Sequence, residues 1–192
     1  MVLFQKNYSI KSDEELMSLL AKGGQSAFDE LYNRYSKPLL NFFYRMLNND
    51  RKKAEDMLHD LFLKIIEEPE RFDQTRTFST WFYTLAGNMV KNEYRSREVQ
   101  NEYEIQSRNQ SSETTEDQAE KIDRRLFNER LQAEIDDLNP NARTLFNLRF
   151  VEEMSVKQIA EIMEIPEGTV KSRLFYITRQ LAKKLIKYKP EL

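Results

Sequence analysis

The amino-acid sequence predicts an all-α protein in which two small helical domains are joined by a flexible acidic linker. Glycine and proline contribute only 4 and 5 of the 192 residues, and apolar residues recur at helical spacing along most of the chain. Residues 106–118 contain almost no apolar side chain, which is the composition of a flexible linker. We therefore expect domains at 1–98 and 124–192, the second a helix-turn-helix domain, with the linker at 99–123.

Short polar signals delimit the first two predicted helices. Ser12 and Glu15 have the S-x-x-E spacing of a capping box, in which the two residues satisfy each other's backbone N–H groups. Gly23-Gly24 is expected to end the first helix and Ser26 to begin the second. The apolar residues of the second helix keep helical spacing until the Asn-Asn-Asp run at 48–50. These signals predict two consecutive helices joined by a glycine turn.

The third helix, expected at 52–67, has two different faces. Its core side is formed by Leu58, Leu61, Phe62 and Ile65. The other side carries Asp56, Asp60, Leu63 and Glu67, with His59 beside them. Acidic residues around an exposed leucine suit a protein-docking face, and a plain solvated face is the alternative. The Asp56–Asp60 pair would also suit Mg²⁺, but no third ligand and no phosphate-binding loop accompanies it.

The fourth helix, expected at 78–97, also has two faces. Its core side consists of Phe78, Phe82, Ala86 and Met89. The opposite stripe carries Trp81, Thr84, Asn88, Lys91, Asn92 and Arg95, and the preceding loop adds Arg71, Phe72 and Arg76. Aromatic rings stack on unpaired bases, amides bond base edges and cations hold phosphate, so the pattern indicates capture of single-stranded or flipped nucleic acid. The alternative is that Trp81 is half-buried core and Asn88 an ordinary surface amide.

Two short helical segments follow each other between Ser155 and Phe175. Ser155 is expected to cap the first, and Ile165-Pro166 to end it and begin the second. The second has a packing stripe made of Val170, Leu174, Ile177, Leu181 and Leu185. Its other face carries Gly168, Thr169, Lys171, Ser172, Phe175, Tyr176 and Arg179. Short donors and cations near the start of an exposed helix are typical of a DNA-reading helix-turn-helix, with a solvated hairpin as the alternative.

The charges are segregated along the chain. The net charge of −2 argues weakly against nucleic-acid binding. However, residues 98–123 contain eight acidic and two basic side chains, whereas residues 171–189 contain seven basic and no acidic ones. The basic end supplies the phosphate neutralisation that a DNA-binding segment needs.

Composition also excludes several functional classes. Cysteine is absent, and the one histidine, His59, cannot build a His-rich metal cluster or a conventional Ser-His-Asp triad. We expect no catalytic residue, no metal, no cofactor and no small-molecule substrate. No apolar run reaches membrane-spanning length, and the first residues lack the basic-then-apolar order of a signal peptide. A cytoplasmic protein without membrane insertion is the expectation.

Four segments resemble, in order, the successive regions of a bacterial RNA polymerase sigma factor of the extracytoplasmic-function (ECF) type. They are SAFDELYNRYSKPLL, AEDMLHDLFLKII, RFDQTRTFSTWFYTLAGNMVKNEYR and SVKQIAEIMEIPEGTVKSRLF, which cover most of both predicted domains. The resemblance implies a non-enzymatic protein that binds core RNA polymerase and directs it to promoter DNA. It also implies an anti-sigma factor as a partner, and a linker that passes near the RNA exit path of polymerase.

The helix faces and the resemblance together give three groups of expected binding residues. Docking on polymerase falls to Asp56, His59, Asp60, Phe62 and Leu63. Binding and melting of the −10 element falls to Lys64, Phe72, Arg76, Trp81, Asn88, Lys91, Asn92 and Arg95. Reading of the −35 duplex falls to Arg149, Thr169, Lys171, Ser172, Arg173, Phe175 and Tyr176. The chain departs from the common pattern at His59 (often Gln), at Tyr176 (often Arg) and at the mid-helix Gly87.

Two other functions fit parts of the same sequence. A transcriptional regulator that uses the helix-turn-helix alone would bind specific DNA without polymerase. A nuclease that uses Asp56 and Asp60 with Mg²⁺ would turn DNA over in a metal-dependent reaction. Association with core RNA polymerase distinguishes the sigma factor from both.

Overall fold

The computed structural model describes residues 8–101 and 119–188, and every regular element within these two ranges is helical. The α-helices are α1 (Asp13–Leu20), α2 (Gln25–Met46), α3 (Arg51–Glu67), α4 (Phe78–Asn101), α5 (Ala119–Asp136), α6 (Pro140–Phe150), α7 (Val156–Met163) and α8 (Glu167–Leu185). Short 3-10 turns occur at Tyr8–Ile10, Pro69–Arg71 and Ile186–Tyr188. The predicted all-α fold class is confirmed.

The predicted linker is only partly covered by the described residues. Its central part, 106–118, lies outside them. At its edges, residues 99–101 belong to α4 and 119–123 to α5, so the helices extend further than the sequence indicated. Residues such as Ala119 and Glu120 are good helix formers, which is consistent with an early start of α5.

The chain divides into two compact units. One comprises residues 1–90 together with 157–164, and the other comprises residues 91–156 together with 165–192. The first therefore contains α1, α2, α3, the beginning of α4, and α7. The second contains the rest of α4, α5, α6 and α8. The domain limits expected from the sequence, 1–98 and 124–192, stay a prediction.

Local caps set most helix ends near the positions that the sequence indicates. The capping box is confirmed, because Ser12 Oγ accepts from the Glu15 N–H (3.2 Å) and the Glu15 carboxylate accepts from the Ser12 N–H (2.8 Å). The expectation that Ser26 begins the second helix is wrong by one residue, since Gly24 is the N-cap and Gln25 the first helical residue. A Cβ on Gly24 would lie 2.8 Å from the Leu19 carbonyl oxygen, so the turn requires glycine there.

An aromatic cluster forms the core of the first unit. The ring centroid of Phe82 lies 5.0 Å from Phe78, 5.3 Å from Phe62 and 5.6 Å from Tyr35. Phe82 thereby joins α2, α3 and α4, and its own side chain is fully buried. The core sides predicted for α3 and α4 are confirmed except at half-buried Met89, since the buried residues include Leu58, Leu61, Phe62, Ile65, Phe78, Phe82 and Ala86.

In the second unit, α8 packs against α5 and α6. Four of its five predicted stripe residues are buried, and the fifth, Leu174, is half-buried. A buried carboxylate, Glu134 of α5, pairs with Arg130 (2.6 Å, Nη2 to an Oε) and with Lys184 of α8. The hydrogen bond from Lys184 and the nearby charges outweigh burial and lower the pKa of Glu134. The ionised Glu134 therefore ties α5 to α8.

Candidate functional site

The loop that precedes α4 is ordered by its own polar side chains. Asp73 Oδ1 accepts hydrogen bonds from the Thr75 hydroxyl (2.7 Å) and the Thr75 N–H (2.9 Å). The Arg76 N–H donates to the Asp73 carbonyl oxygen at 3.0 Å. The two bonds from Thr75 lower the pKa of Asp73, so its carboxylate is ionised at neutral pH. The loop thus has a defined shape although its side chains are exposed.

The two aromatic residues expected to contact bases are buried to different degrees. Phe72 is only 5 % exposed, and its ring packs on Phe78 (5.4 Å between centroids) and on Trp81 (5.1 Å). It supports Trp81 and presents no open face of its own. Trp81 is half-buried, as the core alternative expected, and part of the residue is exposed to solvent.

The polar stripe predicted on α4 reaches solvent. Its exposed members are Asn88, Lys91, Asn92 and Arg95. Thr84 is half-buried, and its hydroxyl donates to the Thr80 carbonyl oxygen at 2.8 Å. Lys64 on α3 is exposed as well. Amide and ammonium groups along one helix therefore remain available to a ligand.

Arg76 has a protein partner inside the first unit. Its Nη2 lies 3.0 Å from Oε1 of Glu161 on α7, and about half of each side chain remains exposed (51 % and 38 %). Ion pairs in such solvated positions contribute about 0–1 kcal/mol. The ion pair with Glu161 therefore costs little to separate.

An apolar groove of 440 Å³ lies between α2 and α3. It is lined by residues that include Phe28, Tyr32, Leu40, Leu58, Leu63 and Ile66. Tyr32 and Ile66 are 43 % and 44 % exposed, and the sequence analysis assigned neither of them to a docking surface. The sequence does contain a signal for the exposure of Ile66. It directly follows the buried Ile65 and therefore lies off the buried stripe of α3.

Three of the five residues predicted to dock on polymerase line this groove: His59, Phe62 and Leu63. Phe62 is 3 % exposed, with its ring 4.8 Å from that of Tyr32. Asp56 and Asp60 are exposed on α3 but are not part of the groove lining, in which Glu55 is the acidic residue. The groove is therefore apolar with one acidic lining residue, and two further carboxylates lie on the same helix. It would accept a partner with an apolar and basic face.

The exposed face of α8 carries the residues predicted to read duplex DNA. Lys171, Ser172 and Arg173 are exposed, while Thr169 is half-buried. Phe175 and Tyr176 are 59 % and 66 % exposed and meet edge to face, with centroids 5.6 Å apart. The two neighbouring rings form a small apolar patch on the exposed face of α8.

Hydrogen bonds orient two of the polar groups in the second unit. The Ser172 hydroxyl donates to the Thr169 carbonyl oxygen at 3.1 Å, which leaves its lone pairs free to accept. Arg149 of α6 is exposed, and its Nη1 donates to the Met154 carbonyl oxygen at 2.8 Å. This bond fixes one terminal nitrogen of the guanidinium group. The other N–H groups of Arg149 remain for a ligand.

The sequence did not predict a cleft of 730 Å³ beside this face. It lies between the turn that connects α5 with α6 and the middle of α8, and its walls include Leu138, Asn139, Ala142, Arg173, Tyr176 and Gln180. Tyr176, which replaces a common cation, forms part of the wall. The two sides are distant in sequence, so no local pattern reveals the cleft.

Among residues 8–101 and 119–188, no three or more His, Cys, Asp or Glu side chains come together in a way that could hold a metal ion. A search of the same residues finds no helix with the length and apolar character needed to cross a membrane.

Comparison with known proteins assigns both halves of the chain. Residues 31–99 match the family "Sigma-70 region 2", and residues 128–177 match "Sigma-70, region 4". The ECF RNA polymerase sigma factor SigW of Bacillus subtilis is 29 % identical over 177 residues, which cover 85 % of this chain and 91 % of SigW. SigL of Mycobacterium tuberculosis, also an ECF sigma factor, is 30 % identical over 152 residues, covering 79 % of this chain and 84 % of SigL.

The fold is similar to that of a solved sigma factor. RpoE from Bartonella quintana, crystallised with the anti-sigma factor NepR, gives a TM-score of 0.62 at 20 % identity, over 82 % of this chain and 96 % of RpoE. The relatives, the two matched regions and the helical architecture agree with one another. The chain therefore belongs to the ECF family of RNA polymerase sigma factors, which act in transcription initiation.

Proposed function

We propose that the chain is an alternative sigma factor that binds core RNA polymerase in the cytoplasm and directs it to particular promoters. In this proposal α4 and its preceding loop hold the melted −10 strand, and α8 reads the −35 duplex. Polymerase supplies the chemistry of RNA synthesis, and this chain makes or breaks no bond. The proposal is carried by the exposed amides and cations of α4, the helix that also bears the half-buried Trp81.

Capture of an unpaired base would offset the free energy that strand separation consumes. Unstacking and unpairing a base costs a few kcal/mol. Stacking on the exposed part of Trp81 would return about 1–3 kcal/mol, and Asn88 would add hydrogen bonds to a base edge. Lys64, Arg76 and Lys91 would neutralise phosphates of the separated strand. Phe72 would act indirectly, by supporting the ring of Trp81.

The face of α8 offers groups that suit the major groove. Lys171 and Arg173 are donors for guanine edges or phosphates, and the rings at 175 and 176 suit contact with thymine methyl groups. The Ser172 hydroxyl, whose proton is directed to Thr169, would accept from the amino group of adenine or cytosine. Arg149 would add a cation from α6.

The groove between α2 and α3 is the surface that we assign to polymerase docking. Its exposed apolar residues would anchor the partner, and Asp56 and Asp60 would steer a basic face towards it. An anti-sigma factor is a further proposed partner, because the similar fold of RpoE was crystallised with one.

The decisive experiment is co-purification of the full chain with core RNA polymerase, followed by transcription from genomic fragments in vitro. We expect a stoichiometric complex and transcripts that begin at a defined set of promoters. Specific DNA binding by the chain alone, without polymerase, would favour a transcriptional regulator instead. Mg²⁺-dependent cleavage of DNA would favour a nuclease.

Asn88→Ala is expected to reduce open-complex formation roughly fivefold, because one hydrogen bond to an unpaired base contributes about 1 kcal/mol. Permanganate reactivity of unpaired thymines measures the open fraction. Asn41→Ala, which removes an exposed amide from α2, is the matched control and should behave like the parent. Equal open fractions for Asn88→Ala and the control would contradict the −10 role.

Lys171→Ala is expected to weaken −35 recognition by about 1–3 kcal/mol if the ammonium group contacts a base. The affinity of the polymerase complex for promoters with intact and with scrambled −35 elements measures the effect. Lys183→Ala, at the exposed C-terminal end of α8, is the control and should leave discrimination unchanged. The same loss on both promoters would assign Lys171 to a phosphate contact instead.

A further inference from the structure

The first N–H group of α4 is capped by a side chain from the beginning of the chain. The Phe78 N–H donates to Glu14 Oε1 at 2.9 Å, across 64 residues of sequence. The amide groups of the first helical turn have no partner within their own helix, and a carboxylate near them is favourable. Because Phe78 is fully buried, loss of the carboxylate would leave its N–H group without a ready replacement from water.

Burial raises the pKa of Glu14, but the Phe78 N–H and further hydrogen bonds from the backbone of Glu14 and from Ser12 outweigh it. The pKa of Glu14 is therefore lowered, and the carboxylate is charged at neutral pH. A charged acceptor makes a stronger hydrogen bond to the backbone than a neutral one.

Glu14 is itself held in place by its neighbours on α1. Asp13 pairs with Arg34 of α2 at 2.7 Å and accepts a hydrogen bond from the Tyr35 hydroxyl. Arg34 also donates to the carbonyl oxygens of Ser9 (2.9 Å) and Lys11 (3.0 Å). These contacts anchor α1 to α2. The carboxylate of Glu14 therefore has little freedom to follow the Phe78 N–H if the first turn of α4 shifts.

Phe78 connects this anchor to the surface that we assign to the −10 strand. It directly follows the loop 72–77, and its ring contacts Phe72 (5.4 Å) and Trp81 (5.8 Å). A shift of the first turn of α4 would therefore move the end of the loop and the ring of Trp81 together.

We propose that Glu14 is a positioning residue, which fixes the loop 72–77 and Trp81 for the −10 strand by holding the first amide of α4. Its consequence for promoters rests on the function proposed above. The fixing of the loop is a property of the free chain and is tested separately. Glu14 touches no DNA in this role.

Amide hydrogen exchange of the free full-length chain tests directly whether Glu14 fixes the loop 72–77. Glu14→Ala is expected to speed exchange of the Phe78 amide and of residues 73–77 by roughly tenfold or more, since a bond to a charged acceptor is lost. Glu14→Gln keeps an acceptor oxygen and should restore part of the protection. Glu15→Ala removes the neighbouring carboxylate, whose hydrogen bond (Ser12 N–H) and ion pair (Lys11) both lie at the start of α1, and should leave residues 73–78 unchanged.

A forked promoter with unpaired −10 bases tests the functional consequence in complexes with core polymerase. Glu14→Ala should weaken binding to the fork roughly tenfold relative to binding of the −35 duplex, with Glu14→Gln intermediate and Glu15→Ala unchanged. Two exchange results overturn the proposal. One is equal exchange rates at residues 73–78 in the Glu14→Ala and Glu15→Ala variants. The other is faster exchange in Glu14→Ala that is spread evenly over α1 to α4. Unchanged fork binding by Glu14→Ala when Asn88→Ala is impaired also overturns it.

If Asn88→Ala also leaves fork binding unchanged, the −10 assignment fails, and exchange then decides the role of Glu14. Faster exchange confined to residues 73–78 supports Glu14 as the residue that fixes the loop. Unchanged exchange overturns it.

Discussion

Leu63→Lys is expected to weaken association with core RNA polymerase by at least about thirtyfold, or about 2 kcal/mol, the loss typical of a residue at the centre of an interface. Leu63 lies 36 % exposed on α3 and lines the apolar groove. The substitution removes apolar contact and places a cation where the carboxylates of α3 favour a basic partner. Lysine is about as good a helix former as leucine, so α3 itself should persist.

Co-sedimentation or fluorescence anisotropy with core polymerase measures this loss. The matched control is Leu126→Lys on α5, where the replaced leucine is 51 % exposed and does not line the groove. We expect the control to bind like the parent. Equal affinities for Leu63→Lys and Leu126→Lys would show that polymerase does not use the groove.

Phe82→Ala is expected to lower the free energy of unfolding of the first unit by about 3–5 kcal/mol. The ring is fully buried and contacts aromatic residues on α2, α3 and α4, so its removal leaves a cavity where three helices meet. The loss would take a large share of the 5–15 kcal/mol that stabilises a typical domain. Phe82→Leu would refill part of the space and cost less.

Denaturant unfolding followed by tryptophan fluorescence measures this change, because Trp81 is the single tryptophan and reports on the first unit. Tyr44→Ala removes an aromatic ring of the same unit, on α2, that is 38 % exposed, and it should alter stability by about 1 kcal/mol or less. Similar unfolding midpoints for the Phe82 and Tyr44 variants would contradict the assigned core.

Local chemistry accounts for what the sequence predicted well. The capping box of Ser12 and Glu15, the end of α3 before Pro69 and the core side of α4 depend on residues within a few turns of one another. The buried stripe of α8 follows from spacing alone. The ECF resemblance depends on the same local segments, and the matches to regions 2 and 4 together with the ECF relatives confirm it.

Long-range packing accounts for what the sequence did not give. The cap from Glu14 to Phe78 joins residues on different helices. Phe72 lies in a polar loop but is buried because Phe78 and Trp81 cover it. Tyr32 and Ile66 are residue types that often lie in a core, yet the packing of α2 against α3 leaves them exposed to solvent. None of these arrangements has a periodic signal in the chain.

The edge-to-face rings of Phe175 and Tyr176 bear on how the affinity for DNA depends on ionic strength. A cation that binds phosphate releases counterions, so its share of the affinity fades as salt is added. Contacts of aromatic rings with base methyl groups release none. In the −35 role that we propose for α8, Tyr176 stands where arginine is common in the family. More of the affinity for promoter DNA should therefore persist at high salt than in a relative with arginine at that position.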